Sequence, residues 1–399
     1  MNEVKGYRFP SPFTPSSPHP FYTIYDTMKI LQLGKFYPIR GGVEKVMYDL
    51  MSGLSGRGVR CDMLCASHEG KSRTIKVNEN ARLMVTNTWA KKAATMISPS
   101  MVGLLNDIAD EYDIIHIHHP DPMACMALRI SGYKGKVVLH WHSDILRQRV
   151  LLKMYNPLQR WLIERADVIV GTSPVYVKES PFLADVQEKI TYLPIGVEPV
   201  GRDDAAAEEV RRRYPGKRIV FTLGRLVEYK GYESLIEAAR ELDDSYVVLI
   251  GGTGPLQESL QQKIEELGLT ERVKLLGYLR DDELPGYFGG CDLFCLSSVM
   301  KTEAFGIVQI EAMSCGKPVV ATRIPHSGVS WVNEDGVSGL NAEPENAVSL
   351  AQCIRGVLED EVAYRRYCQG ARERYEMLFT LDRMIDNCLE IYGTLNVER

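Results

Sequence analysis

The sequence has no apolar run approaching the roughly 20 residues that a membrane-spanning helix needs, since even VVLHWHS and YVVLIGG stop after a handful of residues. It also lacks a secretion signal, because residues 1–27 are rich in Pro, Ser and aromatics and have no basic start followed by an apolar stretch. The nine cysteines include no C-x-x-C pair, which favours a reduced compartment. These absences predict a cytoplasmic protein with a flexible extension over residues 1–27.

Several motifs of metal and cofactor chemistry are also missing. There is no D-x-D, and no set of His, Asp and Glu has metal-ligand spacing, so these residues do not require a bound metal. No G-x-G-x-x-G follows the first strand with an acidic residue about 20 positions later, which argues against a dinucleotide-dependent oxidoreductase. No pair of carboxylates is arranged as in a retaining glycosidase. We therefore expect no cofactor, no metal and no nucleic-acid partner.

The length and the apolar content fit two α/β domains, because 399 residues exceed one ordinary core and 45% of them are apolar. Short strand-like runs alternate with helix-like segments from MKILQLG to KITYLPIGV, and the pattern restarts at KRIVFTLGRL. Such alternation predicts a parallel, doubly wound sheet in each half. The expected division is an N-terminal Rossmann-like domain at 28–200, a polar linker at 201–216, a second Rossmann-like domain at 217–374 and a closing helix at 375–399.

The most informative stretch contains two glutamates eight positions apart, Glu303 and Glu311. Glu303 is expected in a loop at the carboxyl end of a strand, where open α/β sheets bind ligands, and Glu311 on the second turn of the following helix. The positive end of that helix suits a diphosphate. The backbone N–H groups expected to open the helix are those of Phe305, Gly306 and Ile307. Two glutamates at this spacing are common, so the interpretation depends on the surrounding residues.

The surrounding segments resemble the retaining glycosyltransferases of family 4, which have the GT-B fold. The resemblance rests on EAFGIVQIE followed by AMSCGKPVVAT and NEDGVSGL, and on GRLVEYKGYESLIEAA, GGTGPLQ and YLRDDELPGYFGGCDLFCLSS. It covers residues 28 to 395. It implies an α/β protein whose two Rossmann-like domains face each other, with a C-terminal helix that returns toward the first domain. It also implies a GDP- or UDP-linked sugar as donor and closure of the domains around it.

The resemblance also implies which residues bind the donor. Arg225 and Lys230 match a family Arg and Lys that hold the diphosphate, and two cations there would neutralise the charge that builds on the leaving group. Glu303 is expected to contact the transferred sugar and Glu311 the ribose. The full expected donor site is Gly41, Gly42, Arg225, Lys230, Glu303, Phe305, Gly306, Ile307 and Glu311.

The N-terminal half contributes a histidine and a glycine turn. His118, in HIHHPDP, matches a family histidine beside the transferred sugar. It is expected to project at the carboxyl edge of the sheet and to contact a sugar hydroxyl. Gly41 and Gly42 match the family's first glycine loop, whose backbone can approach phosphates without side-chain obstruction, and Arg40 is a further candidate phosphate contact. The expected catalytic residues are His118, Arg225, Lys230 and Glu303.

The segment from residue 139 to 167 suggests an acceptor site followed by a basic helix. His142, Ser143 and Asp144 resemble an H-S-D stretch of family members that build bacterial surface polysaccharides, which implies that Asp144 orients the acceptor hydroxyl. The basic, apolar helix at 145–165 has two interpretations. It lies on an anionic membrane surface, at the inner face of the cytoplasmic membrane, or it packs on the core with a solvated basic face.

These expectations describe a retaining, metal-independent hexosyltransferase in which the leaving phosphate acts as base. It would move a mannose-like or glucose-like sugar to an oligosaccharide or polyprenyl-linked acceptor of an O-antigen or exopolysaccharide. The alternatives are a sugar-nucleotide epimerase or a synthase of the same fold, and a non-catalytic sugar-nucleotide-binding subunit. Discrimination between donors is expected near residues 278–283 and 303–307.

Overall fold

The computed structural model describes residues 28–39, 41–92, 95–145 and 149–397, with the backbone alone at 92, 95 and 149–154. The extension expected at 1–27 and the candidate Arg40 lie outside the described residues. Within the described part, no helix is long and apolar enough to cross a bilayer. All nine cysteines are free thiols.

The first domain is an eight-stranded sheet with helices on both faces. Its strands, together with a separate hairpin of β5 and β6, are β1 (Lys29–Tyr37), β2 (Arg60–Ser67), β3 (Arg73–Asn78), β4 (Ala81–Thr86), β5 (Ala90–Lys92), β6 (Thr95–Ile97), β7 (Ile114–His119), β8 (Lys136–Trp141), β9 (Val168–Gly171) and β10 (Ile190–Tyr192). Its helices are α1 (Val43–Gly56), α2 (Pro99–Ile108), α3 (Pro122–Ser131), α4 (Arg149–Arg165) and α5 (Pro174–Lys178). The strand order is β10-β9-β8-β7-β1-β2-β4-β3.

One edge of this sheet departs from the expected parallel arrangement. Strand β3 runs antiparallel to β4, because the two are joined by the tight turn at residues 79–80, whereas the other pairs are parallel. The first sheet is therefore mixed. Strands β7 and β8 are buried on both faces except at Lys136, which is why they show no alternation of apolar and polar residues.

The second domain is an all-parallel six-stranded sheet in the order β13-β12-β11-β14-β15-β16. Its strands are β11 (Arg218–Leu223), β12 (Tyr246–Gly251), β13 (Val273–Gly277), β14 (Leu293–Leu296), β15 (Val319–Thr322) and β16 (Gly339–Ala342). The helices, with α6 entering this domain, are α6 (Asp204–Arg213), α7 (Tyr232–Glu241), α8 (Gln257–Glu266), α9 (Leu284–Gly290), α10 (Ile307–Ser314), α11 (Val329–Val332), α12 (Ala347–Leu358), α13 (Glu361–Leu378) and α14 (Leu381–Gly393).

The segment expected to be a polar linker at 201–216 is largely helical. Asp203 caps α6 by accepting a hydrogen bond from the N–H of Ala206, and the helix packs on α9. Close packing is possible because α9 carries glycines: a Cβ on Gly286 would lie 2.9 Å from the Cβ of Ala206. This segment is therefore part of the second domain's surface.

The C-terminal helix returns to the first domain, as expected. Helix α14 packs on α1, where a Cβ on Gly53 would lie 2.6 Å from Cδ1 of Ile385. Just before α14, the chain runs beside the connection that leaves the first domain. The N–H of Val197 donates to the carbonyl of Phe379, and the N–H of Leu381 donates to the carbonyl of Val197. One continuous apolar core includes residues of both domains and of α14.

Candidate functional site

The strand order of the second sheet reverses between β11 and β14, so the carboxyl ends of these strands flank a crevice of the kind that binds ligands in open α/β sheets. Lys230 follows β11, and Glu303 follows β14. Nζ of Lys230 lies 2.5 Å from Oε2 of Glu303, and both side chains are nearly buried, at 10% and 12% exposure. The structure therefore brings together two of the expected catalytic residues.

Hydrogen bonds join the two loops that carry this ion pair. Oγ of Ser297 donates to the carbonyl of Lys230 over 3.0 Å, and the N–H of Val299 donates to the carbonyl of Tyr229 over 2.8 Å. Gly231 has φ +65°, and a Cβ there would lie 2.2 Å from the carbonyl oxygen of Ser297. Only glycine allows this approach, so the geometry of the ion pair is built into the loops.

The charge of Lys230 is maintained at neutral pH. Burial by itself lowers the pKa of Lys230, but the Glu303 carboxylate and Tyr229 raise it by more, and the net pKa lies above the usual value. Glu303 also accepts a hydrogen bond of 2.9 Å from Oγ of Ser298. Arg225 lies nearby in the loop after β11, is exposed, and ion-pairs with no residue in the described part of the chain. The backbone just before it is close to the pair, since a Cβ on Gly224 would lie 3.6 Å from Nζ of Lys230.

Helix α10 begins two residues later than the sequence predicted. Gly306 has φ +75°, a left-handed conformation that cannot belong to the helix, so the first helical residue is Ile307. The side chain of Phe305 is buried and packs edge-on against Phe379, which fixes the loop before the helix. Glu311 lies on the second turn, as expected.

Glu311 faces the first domain. Burial raises its pKa; the opposite charge of Lys45 on α1 lowers the pKa, and the like charge of the Asp281 carboxylate raises it. The start of α1 therefore lies across the cleft from Glu311. Gly41 and Gly42 precede α1 with φ +118° and +59°, and a Cβ on Gly41 would meet no atom within 4 Å. The expected glycine turn borders open space on the side of the cleft opposite the donor loops.

His118 does not project from the sheet, contrary to the sequence expectation. Its side chain is fully buried, and both ring nitrogens have partners: Nε2 lies 2.7 Å from Oε1 of Gln32, and Nδ1 lies 2.9 Å from Nε2 of His142. The rings of His116 and His142 stack against its ring, so this strand end is covered by side chains of β7 and of the segment after β8. A hydroxyl could bind His118 only by displacing one of these partners.

The hydrogen-bond partners determine where the protons lie. Oε1 of Gln32 can only accept, so His118 donates from Nε2 and, being neutral, accepts at Nδ1 from Nε2–H of His142. Nε2 of Gln32 donates to the hydroxyl of Tyr392 over 3.2 Å, and that hydroxyl is hydrogen-bonded to Nδ1 of His116 at 2.6 Å. A chain of hydrogen bonds thus runs from α14 through the first sheet to the H-S-D segment.

Burial keeps the histidines of these two strands neutral. It lowers the pKa of His119 and of His140 to about 3. It also lowers the pKa of His116, His118 and His142 well below the usual value, and neighbouring imidazoles lower it further. Both ring nitrogens of His140 are buried and have no hydrogen-bond partner among the residues that the structure describes.

Three of these histidines form a group that the sequence analysis missed. The ring nitrogens of His116, His118 and His140 lie within 4.8 Å of one another. The rings of His116 and His118 are stacked with an interplanar angle of 11°, and those of His116 and His140 with 23°. Lone pairs of nitrogen lie in the plane of the ring, so nearly parallel rings cannot aim them at one ion. The residues present do not fit a metal.

Asp144 is not free to orient an acceptor. Its side chain is fully buried and receives hydrogen bonds from Nε1 of Trp141 and Oγ of Ser180, and Nζ of Lys301, from the second domain, lies 2.8 Å away. His142 is committed to His118, whereas Ser143 is half-buried. The expected acceptor triplet is therefore divided between two networks. Sequence reasoning missed Lys301, Gln32 and Tyr392, because their partners are distant in the chain.

Comparisons with known proteins identify the family of both halves of the chain. The family description Glycosyltransferase Family 4 matches residues 40–200, and Glycosyl transferases group 1 matches residues 203–374. The chain is 31% identical over 374 residues to O-antigen chain mannosyltransferase C of Escherichia coli, covering 92% of this chain and 99% of that protein. It is 30% identical over 361 residues to D-rhamnosyltransferase WbpZ of Pseudomonas aeruginosa, covering 88% and 92%.

Solved structures share the fold. HepE of Anabaena, determined in complex with UDP, has a TM-score of 0.74 and 21% identity over 92% of this chain and 100% of that protein. Sucrose-phosphate synthase of Thermosynechococcus elongatus also has a TM-score of 0.74, with 21% identity over 92% and 99%. The Escherichia coli and Pseudomonas relatives, at 31% and 30% identity, match nearly the full chain and confirm the resemblance seen in the motifs. The chain is a glycosyltransferase that belongs to family 4 and has the GT-B fold.

Proposed function

We propose that this glycosyltransferase transfers a hexose from a nucleotide diphosphate sugar with retention of the anomeric configuration. The observation that carries the proposal is the buried Lys230–Glu303 pair at the switch point of the second sheet, with the unpaired cation Arg225 beside it. Two cations and a carboxylate at this position match a donor that carries a diphosphate at one end and sugar hydroxyls at the other.

Each group has a distinct part in the proposed reaction. Arg225 and Lys230 stabilise the negative charge that develops on the diphosphate as the bond to the sugar breaks. Glu303 accepts hydrogen bonds from sugar hydroxyls, and Glu311, held in the cleft wall by α10, binds the ribose. The N-terminal end of α10 adds a positive dipole near the phosphates. Attack occurs on the face that the diphosphate leaves, and a phosphate oxygen takes the proton of the acceptor hydroxyl.

In the proposed reaction, the side chains of the first domain position the site and make little direct contact with the substrates. The buried ring of His118, with both nitrogens bonded, supports a role in fixing the edge of β7 beside the sugar. The open glycine turn at Gly41 and Gly42 supports backbone contact with the donor phosphates. Because cations complete the diphosphate site, we propose that transfer needs no metal.

The relatives favour a mannose-like sugar and a polysaccharide acceptor. The Escherichia coli relative is named for an O-antigen chain mannosyltransferase and the Pseudomonas relative for a D-rhamnosyltransferase. We propose that this chain uses a GDP- or UDP-linked hexose and extends an oligosaccharide or polyprenyl-linked acceptor in surface polysaccharide assembly, at the inner face of the cytoplasmic membrane.

A panel of sugar nucleotides tests the proposal. GDP-mannose, UDP-glucose and UDP-N-acetylglucosamine are screened by thermal shift, because a ligand at 100 times its Kd stabilises the folded state by about 2.7 kcal/mol. The best binder is then assayed for transfer to oligosaccharide and polyprenyl-linked acceptors, with and without EDTA. Formation of a product with retained configuration in EDTA is the expected result. Binding of every donor without any transfer would favour the non-catalytic subunit, and release of an altered free sugar the epimerase.

Variants of the ion pair provide the second arm. Lys230→Ala is expected to lower kcat about 100-fold to 1000-fold, as loss of one charge-stabilising donor does in other enzymes. Glu303→Gln is expected to lower kcat/KM about 10-fold to 100-fold, because hydrogen bonds to a charged group contribute about 1.5–3 kcal/mol. Glu361→Gln, an exposed carboxylate on α13, is the matched control and should leave transfer unchanged. Unchanged transfer in Lys230→Ala would contradict the assignment.

A further inference from the structure

Lys301, in the second domain, is held by a site built from the first domain. Its Nζ lies 2.8 Å from Oδ2 of Asp144 and 3.3 Å from the carbonyl oxygen of Glu179, and it lies 4.7 Å from the centre of the Tyr176 ring. The side chain of Asp144 is fully buried and that of Lys301 is 17% exposed. A carboxylate, a carbonyl and an aromatic face are the groups that attract an ammonium ion.

The first domain holds Asp144 in place independently of the lysine. Nε1 of Trp141 and Oγ of Ser180 donate to Oδ1 of Asp144 over 2.9 Å and 2.7 Å, and its N–H donates to the hydroxyl of Tyr176 over 2.9 Å. Both of these side-chain donors reach the same carboxylate oxygen, so Oδ2 is left for the cation. A buried carboxylate without a cation is strongly unfavourable, and here the cation comes from the other domain.

Lys301 is linked through a short turn to the donor carboxylate. The N–H of Glu303 donates to the carbonyl of Met300 over 2.9 Å, so that Lys301 and Glu303 lie in one hydrogen-bonded turn. The side chain of Glu303 is in turn fixed by Lys230 and Ser298. The anchoring of Lys301 in the first domain thus restrains the turn whose backbone carries Glu303.

A second interdomain contact reaches the same turn from the other side. Nδ1 of His326 lies 3.1 Å from Oε2 of Glu179 in the first domain. Gly328, two residues later, donates its N–H to the carbonyl of Ala304, and a Cβ there would lie 2.4 Å from Oγ of Ser173 in the first domain. The turn with Glu303 thus lies between two points at which the second domain contacts the first.

We propose that Lys301 and Asp144 form a positioning ion pair that places Glu303 correctly only when the two domains are in contact. The proposal rests on the proposed function, because it gives Glu303 the role of binding the transferred sugar. Neither residue touches the reacting atoms. Asp144 acts on the second domain through Lys301, and Lys301 acts on the sugar through the turn that carries Glu303.

The test compares Lys301→Met, Asp144→Asn and the double variant with wild type. Each single variant is expected to lower the Tm by several degrees, because it leaves one buried charge unpaired, and the double variant is expected to recover most of that loss. All three are expected to lower kcat about 10-fold to 100-fold, since small misplacement of a positioning group has effects of this size, with the KM for the acceptor unchanged. Lys178→Met, which removes an exposed lysine next to Glu179, is the matched control and should equal wild type.

Two kinetic outcomes would overturn the proposal. If the double variant regains kcat together with Tm, the pair is structural only. If Asp144→Asn raises the KM for the acceptor and Lys301→Met does not, Asp144 is an acceptor ligand as the sequence first suggested. Absence of transfer by wild type with every donor would instead refute the proposed function.

A measurement without substrate separates these failures. Small-angle scattering should give a larger radius of gyration for the double variant than for wild type and Lys178→Met, because the interdomain pair is lost. An unchanged radius in the double variant would overturn the dependence of Glu303 positioning on domain contact through this pair, whatever the result of the transfer assay.

Discussion

Replacing His140 with leucine is expected to make the folded protein less sensitive to acid. His140 lies fully buried on β8, with both ring nitrogens unpartnered, and burial lowers its pKa to about 3. The folded protein therefore keeps this imidazole neutral, whereas the unfolded chain protonates it below about pH 6.5. A base with a lowered folded pKa binds fewer protons in the folded state, so it favours unfolding as the pH falls below 6.5.

The magnitude follows from this difference in proton binding. Between pH 7.5 and pH 5.5, one such histidine changes the free energy of unfolding by about 1.4 kcal/mol. Burial also lowers the pKa of His119 to about 3, so these two imidazoles together change it by about 3 kcal/mol, a large part of the roughly 5–15 kcal/mol of a typical domain. The lowered pKa values of His116, His118 and His142 act in the same direction. Burial also raises the pKa of Glu44, Asp49 and Asp121, which act in the opposite direction, so the difference between variant and wild type isolates one imidazole.

The assay is urea unfolding of wild type and His140→Leu at the two pH values. Tryptophan fluorescence monitors the unfolding, and three of the four tryptophans belong to the first domain. The variant is expected to retain about 1.4 kcal/mol more of its stability at the lower pH. Val138→Ala, on the same face of β8, is the control: it removes apolar contacts and should lower stability equally at both pH values. An identical pH dependence in wild type and His140→Leu would refute the reasoning.

Two further substitutions test the packing of the C-terminal segment. Gly196→Ala is expected to lower the free energy of unfolding by about 1–3 kcal/mol, because its Cβ would lie 2.2 Å from the carbonyl oxygen of Thr380, and urea titration against wild type will measure the loss. Wild-type stability in this variant would contradict the close approach. Tyr392→Phe removes the hydroxyl between Gln32 and His116 and is expected to cost about 1–3 kcal/mol by the same measurement. A cost near zero would show that the hydrogen-bond chain contributes nothing to folding.

The parts of the site that could be predicted from sequence are those set by local structure. A strand, a loop and a helix in succession place Glu303 and Glu311 on one side of the second sheet, and the loop after β11 brings Lys230 to the same edge. The start of α10 was misplaced by two residues because the left-handed backbone of Gly306 leaves no trace in apolar periodicity.

The parts that could not be predicted depend on long-range partners. Asp144 and Lys301 are 157 positions apart, and Gln32 and Tyr392 are 360 apart, so no local pattern links them. His118 illustrates a different difficulty. A central strand buried on both faces has no alternation that distinguishes a committed side chain from one that reaches a cleft.

The chain passes between the two domains twice, and the contact between these two passages limits how the domains can move. Val197 is hydrogen-bonded to the residues on both sides of Thr380, so the two passages of the chain form a narrow two-stranded strip. Such a strip bends with little loss of bonding, but sliding or twisting one passage against the other breaks both bonds. Domain motion that slides or twists these passages therefore costs both hydrogen bonds, whereas rotation about an axis through the strip keeps them. A substitution there would change how readily the cleft opens without altering any group inside it.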